Sequence, residues 1–408
     1  MSGPQWKSKW DFSDPNAPCT FVGVDCDIGS ADITRIVLSR QGLNGQLPAM
    51  IANLTKLTLF NVSYNAIHGT LPPEFAAWTS IAQVILEINN ITGTLPPHYS
   101  EWGRSIRRFY CGRNNISGIL PVSYSNWSMI ETFDGSYNQL NGSLPSEFAK
   151  WSSISVFVLT SNLISSTLPS EYAAWIRLVD FFGDSNKIIG TLPPEYSAWA
   201  IMQLFHCAKN SISGTLPKSY RSWPLIKEFD VQYNQLTGSL PPEFADWRPS
   251  LFTLNNNQIS STLPPQYSQW GVSTQYFYLQ DCDIYGSLPP SYSNWTYLMG
   301  FAIRNSRVSG MLPNEYASWV RIGTFVISYS SLSGTIPSTY NHWSSVTTID
   351  LSNNHLTGTI PSNIWGSMAL LTTVALSNNS LSGTLPAQLL RVPQLGYISV
   401  GFNQLTGT

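Results

Sequence analysis

The sequence predicts a stacked-repeat solenoid, and three observations predict it. A Leu-Pro or Ile-Pro step recurs with a period of 24 residues, slipping by one in a few places. It falls at Leu47, Leu71, Leu95, Leu120, Leu144, Leu168, Leu192, Leu216, Leu240, Leu263, Leu288, Leu312, Ile336, Ile360 and Leu385. Whole phrases recur in phase with it, such as F-D-G-S-Y-N-Q-L-N-G-S-L-P from Phe133 and F-D-V-Q-Y-N-Q-L-T-G-S-L-P from Phe229. Gly, Pro, Ser, Thr and Asn are plentiful but periodic, which marks turn chemistry rather than disorder. A length of 408 residues suggests two or three domains by size alone. A solenoid instead keeps one core whatever its length.

The first stretch, Trp6 to Cys26, differs from the rest. The end of a solenoid exposes its core and needs a cap. Cys19 and Cys26, with six residues between them, are placed to clip a short loop over that end; two free thiols in a loop are the alternative. Trp6, Trp10 and Phe12 are expected to pack beneath the loop. The expected organisation is a cap over residues 1–32 and a solenoid over 33–408, with no C-terminal cap.

Each coil has the same parts, counted back from the Leu of Leu-Pro. Eleven and nine residues earlier stand apolar residues, as at Phe157 and Leu159 or Ile349 and Leu351. Alternation over so few residues predicts a short strand with one buried face. Phe recurs at the first of these places, and stacked strands would pile its rings at about 4.8 Å per step. Six residues before Leu-Pro stands Asn, from Asn65 to Asn403, replaced by Cys282, Ser306 and Ser330 in three consecutive coils. A buried Asn at a bend must find partners, and the neighbouring coil's backbone supplies them. The ladder should weaken where Cys or Ser stands. Gly then permits a turn and Pro stops the strand. An outer segment follows, such as Pro72 to Trp78, with an aromatic residue and a Trp three apart. That spacing fits one short helical turn with both rings inward. An exposed aromatic ridge is the alternative. The last two coils lack the pair, carrying Ile364 and Ser367, then Leu389 and Val392.

Net charge is −2, with only 11% charged residues and no basic run, which excludes an ordinary nucleic-acid binder. No apolar run is long enough to span a membrane, and no secretory leader opens the chain. The sequence is therefore read as a piece of a longer protein whose targeting and anchoring segments lie elsewhere. Catalysis is not expected. His68, His98, His206, His342 and His355 occupy different repeat positions and do not converge. No metal-ligand spacing or phosphate loop appears, so no cofactor and no metal are expected. A structural ion among Asp180, Asp184 and Asp230 is the lesser alternative.

The core phrase L-x-x-N-x-L-x-G-x-L-P resembles the leucine-rich repeat of the plant-type, 24-residue class, and the Cys19/Cys26 stretch resembles that class's N-terminal cap. The outer phrase L-P-P-E-Y-x-x-W is similar to repeats of kinetoplastid promastigote surface antigens and proteophosphoglycans. The resemblance implies a right-handed parallel coil of about fifteen turns, with a concave parallel sheet, short 3-10 turns on the convex side and a second short strand at x-G-x-L-P. It also implies an extracellular recognition or adhesion role.

Binding surfaces of such solenoids use the variable strand positions. These lie twelve, ten, eight and seven residues before the Leu. They hold Arg108, Tyr110 and Arg113 in one coil and Asp134 and Tyr137 in the next. Asp180, Phe182 and Asp184 follow two coils later, then His206 and Lys209, then Glu228, Asp230 and Tyr233. Tyr276, Tyr278 and Asp281 share a further coil, with Arg304 and Tyr329 beyond. Aromatic, Arg and acidic side chains on a rigid sheet are hot-spot material, although a merely solvated face reads almost as well. Residues 348–378 carry Thr, Ser, Ala and Asn here and are expected to bind little.

Cys111, Cys207 and Cys282 are expected as buried free thiols. Sequons at Asn53, Asn61, Asn90, Asn115, Asn126, Asn141, Asn294 and Asn378 favour a secreted or surface glycoprotein. The expected partner is a protein or glycan on the concave face, with membrane contact only through an anchor outside this sequence. The alternative is a structural coat or filament subunit that self-associates laterally or end to end.

Overall fold

The computed structural model describes residues 11, 13–15 and 17–407, so Trp6, Trp10 and Phe12 lie outside the described residues. The chain divides into two compact units, Met1–Met202 and Gln203–Thr408.

The first unit opens with the disulfide Cys19–Cys26 and a strand, Val24–Cys26, that pairs antiparallel with Ile33–Val37. From there the strands run parallel: Leu59–Asn61, Gln83–Ile85, Arg108–Tyr110, Thr132–Asp134, Val156–Val158 and Asp180–Phe182. The register is in phase with the repeat, so Phe133 lies opposite both Phe109 and Phe157. In the second unit the parallel strands run from Leu204–His206 to Tyr397–Ser399. Each unit also has short second strands at the x-G-x-L-P step, such as Ala66–Thr70 and Ser260–Thr262.

The outer segments are 3-10 turns. Pro73–Ala77 follows Pro72, whose φ of −66° suits the entry to a helical turn, and it ends at Trp78. The two rings of each turn stack: Phe75 on Trp78 at 4.0 Å, Tyr172 on Trp175 at 3.8 Å and Tyr316 on Trp319 at 3.7 Å. The polar atoms reach back one coil. Tyr99 Oη donates to the Pro72 carbonyl and Trp102 Nε1 to the Phe75 carbonyl, both at 3.0 Å. The same pair recurs at Tyr316 with Pro289 and Trp319 with Tyr292. The Trp column from Trp78 to Trp343 is fully buried, so these rings are core and form no exposed ridge. Burying one such ring contributes at most about 4–6 kcal/mol.

The Phe rings sit 5.6–6.0 Å apart in their stacked pairs, more than the strand spacing. They tilt and offset relative to one another, whereas the backbone ladder cannot.

The Asn ladder forms as its burial requires. Asn89 Nδ2 donates to the Val62 and Leu86 carbonyls at 3.0 Å, and its Oδ1 accepts from the Ile67 N–H at 3.0 Å. Asn234 and Asn257 repeat the pattern in the second unit. Where Asn is replaced, the wiring changes. Cys282 Sγ donates to the Leu254 carbonyl, and the Ser306 and Ser330 hydroxyls meet at 2.8 Å. The strands lengthen there to Gly300–Arg304 and Thr324–Ser328, with Ile303 opposite Ile327 and Arg304 opposite Ser328. Without an amide to tie off the bend, the backbone groups satisfy one another by staying in the sheet.

Candidate functional site

The residue before the ladder position has positive φ in coil after coil, between 51 and 58° from Tyr64 to Phe402. The chain leaves the strand through the left-handed conformation there, in coils that carry the ladder Asn and in those that carry Cys or Ser alike, and Gly and Asn adopt it most easily. Asn256, Asn305, Asn353 and Asn378 do so, but Arg113, Tyr137, Lys209, Tyr233, Asp281 and Tyr329 also stand in this column. It projects side chains from the edge of the strand face. Tyr137, Tyr233 and Tyr329 are each about half exposed, at 46%, 49% and 49%.

On the first unit the face gathers two small groups. Arg107 and Arg108 both reach Glu131, at 3.1 and 3.4 Å. Arg113 lies over the Tyr137 ring at 4.3 Å, a cation–π contact. Asp134 stands beside Tyr110 in register and accepts from the Ser136 N–H at 2.9 Å. Burial pushes the Glu87 carboxyl up, with the Asp134 charge adding to it and Arg113 opposing. Asp180, Phe182 and Asp184 do not join this group. Val156 and Val158 stand opposite Asp180 and Phe182 and separate the two sets, while Asp184 takes the Thr160 hydroxyl.

On the second unit His206 Nε2 lies 3.1 Å from Glu228 Oε2 and faces Asp230 in register. Burial is the main cause raising the Asp230 carboxyl above its usual range; Gln232, which donates through both its backbone N–H and its side chain, and His206 oppose it, while Glu228 adds to it. Next in register is Thr253, only 2% exposed, whose hydroxyl has no partner among the described residues. Tyr278 follows. Its ring leans over Gly300, where a Cβ would meet the phenol oxygen at 2.2 Å, and it stands 5.9 Å from the Tyr276 ring. Lys209 and Asp281 are exposed on the same edge. Arg304 lies over Tyr329 at 5.2 Å.

Two features escaped sequence reasoning. Glu131 stands thirteen residues before its Leu, one place outside the variable strand columns. A cavity of about 440 Å³ opens on the face of the second unit, lined by Arg304, Tyr329, Asp350, Thr373, Ala375 and Tyr397 among others. It lies in the coils expected to bind little, because their short side chains leave room between taller neighbours.

Among the described residues no His, Cys, Asp and Glu group is arranged to hold a metal, and no helix is long and apolar enough to cross a membrane. Cys111, Cys207 and Cys282 are free and buried; burial raises the Cys111 thiol well above its usual value and the Cys282 thiol to about 11. Seven of the sequon asparagines are exposed; Asn61 is half-buried, with its carbonyl holding Ser63.

The Leucine Rich Repeat family model matches residues 225–247 and 345–367, and the coil geometry above agrees with it. The chain is a leucine-rich repeat solenoid. By sequence, no curated protein matches it significantly. Among solved leucine-rich repeat structures, it is similar to a TDR receptor (TM-score 0.86, 23% identity), covering 90% of this chain and 64% of that one. It thus spans under two thirds of that receptor's length. It is also similar to the plant peptide hormone receptor RGFR1 in complex with RGF2 (TM-score 0.80, 22% identity), covering 95% and 72%. A Leptospira interrogans leucine-rich repeat protein, LIC12759, matches with TM-score 0.70 and 22% identity over 92% of each chain. These likenesses concern the fold.

Proposed function

We propose that this leucine-rich repeat chain is an extracellular or cell-surface recognition module without catalytic activity, binding a protein or peptide across the strand faces of its coils. The column of exposed Tyr, Arg and Lys side chains held in the left-handed conformation carries this reading. Strain kept at exposed aromatic positions, where Asn would fit more easily, is the mark of a selected surface. The peptide hormone bound by RGFR1 lends support. So do the N-terminal disulfide and the exposed sequons, which suit an oxidising compartment. The likeness to kinetoplastid surface antigens rests on the outer phrase alone.

The test uses a ligand selected on the intact chain. Tyr137→Ala and Tyr233→Ala are expected to weaken binding at least fivefold while circular dichroism stays unchanged. Unchanged affinity in both would overturn the placement.

One observation favours a structural assembly as the second reading. Leu225, Val272, Tyr297 and Val320 of the second unit, each one or two residues past the Trp column, are exposed. Molar mass by light scattering separates the two: a constant monomer mass favours recognition, and growth with concentration favours assembly.

A further inference from the structure

We propose that the cavity on the second unit's strand face is a saccharide site. The inference stands on that cavity and not on the protein-ligand reading above.

The floor is two coils wide. Thr348 lies opposite Thr373, and Asp350 opposite Ala375. Tall residues bound it on both sides. Tyr329 and Arg304 stand on one side, and Tyr397, 56% exposed, on the other, where it pairs in register with Thr373. Two strand spacings make this floor roughly 10 Å across. The volume of about 440 Å³ lies in the ordinary range of ligand sites.

The lining selects the chemistry. Thr, Ser, Ala and Asn offer no deep apolar slot, so a peptide has nowhere to bury an anchor. Hydrogen-bonding capacity is left over. Asp350 Oδ1 takes the N–H and hydroxyl of Ser352, at 3.0 and 2.6 Å, while its Oδ2 takes no hydrogen bond among the described residues. Arg304 makes no ion pair among the described residues; its guanidinium is held only over Tyr329. A pyranose matches this set. Its C–H face stacks on a Tyr ring, and its hydroxyls each donate and accept, so one ring can meet a carboxylate oxygen, a guanidinium and the ends of the Asn353 and Asn378 amides that their mutual bond of 3.0 Å leaves over.

The sugar has two possible sources. Asn378 lines the cavity and also begins the sequon Asn378-Asn-Ser380, so a glycan on the chain itself could fill the site as well as an outside ligand. Ser380→Ala removes the sequon and leaves Asn378 in its left-handed position.

The experiment is saturation-transfer NMR on the intact Ser380→Ala chain with chitotriose, mannotriose and cellotriose as probes. At least one should bind. Tyr329→Ala and Asp350→Asn should each weaken it roughly three- to tenfold, the loss of one stacking or hydrogen-bonded contact. Tyr137→Ala, on the other unit, should not. No binding by any of the three sugars, or binding unaltered in both cavity variants, overturns the proposal. In the glycosylated wild-type chain, contacts from the Asn378-linked sugar to the Tyr397 ring would support the same chemistry and assign its source to the chain. Ligand loss in the Tyr137 and Tyr233 variants with sugar binding intact, or the converse, tells which of the two readings has failed.

Discussion

Tyr233 shows what a single residue gives up here. Its φ of 54° costs an L-residue about 1–2 kcal/mol, and Asn adopts the same conformation at four equivalent places. Tyr233→Asn is therefore expected to leave stability unchanged or raise it by up to about 1 kcal/mol in urea unfolding, while removing the aromatic contact. Glu87 is a second case. Its carboxyl is raised mainly by burial, so the folded chain takes up its proton before the unfolded chain does. The cost is present at neutral pH and fades as pH falls through the raised range toward the ordinary glutamate range. Glu87→Gln should accordingly raise the melting temperature at neutral pH, with the gain closing in acid. The three buried thiols should resist labelling by a thiol reagent in the native protein and react on unfolding.

Among the elements, the ladder residues differ in what they hold. Removing the Asn234 side chain orphans the Ile212 N–H and takes one of the amide donors from the Cys207 and Val231 carbonyls, which keep Asn210 and Asn257, and should cost about 1–3 kcal/mol in chemical denaturation. Ser306→Ala loses the hydroxyl contact to Ser330 and a long one from the Val308 N–H, in a region where the strands carry the bonding themselves, and should cost about 1 kcal/mol or less. Trp365 offers a parallel comparison. Its Nε1 has no partner among the described residues, whereas Trp151 Nε1 donates to the Tyr124 carbonyl at 2.8 Å. The period made the strands, the Asn ladder and the inward Trp column legible, since each needs only one residue type at one phase. The strand lengthening at Gly300–Arg304 was not legible, because it follows from how backbone groups respond when an amide is missing. The cavity was hidden for a related reason. It depends on differences in side-chain length between neighbouring coils, which no single column of the repeat displays. Placing His206 beside Glu228 needed the register as well as the column.

At the scale of the whole molecule, cohesion in both units comes from buried rings and amide ladders. The ion pairs, such as Lys218 with Glu243 and Arg307 with Asp283, join partly exposed side chains. With a net charge of −2, raising the salt concentration severalfold should shift the melting temperature by no more than a few degrees.

The cross-coil side-chain bonds that tie the buried framework run one way. Asn89 to Val62, Trp102 to Phe75 and Tyr99 to Pro72 all reach toward the N-terminus, as do Asn257, Trp270 and Tyr267 in the second unit. A coil therefore closes only when its successor arrives. On a ribosome, where the N-terminal end emerges first, such a chain would mature one turn in arrears, each newly released segment latching the one already outside.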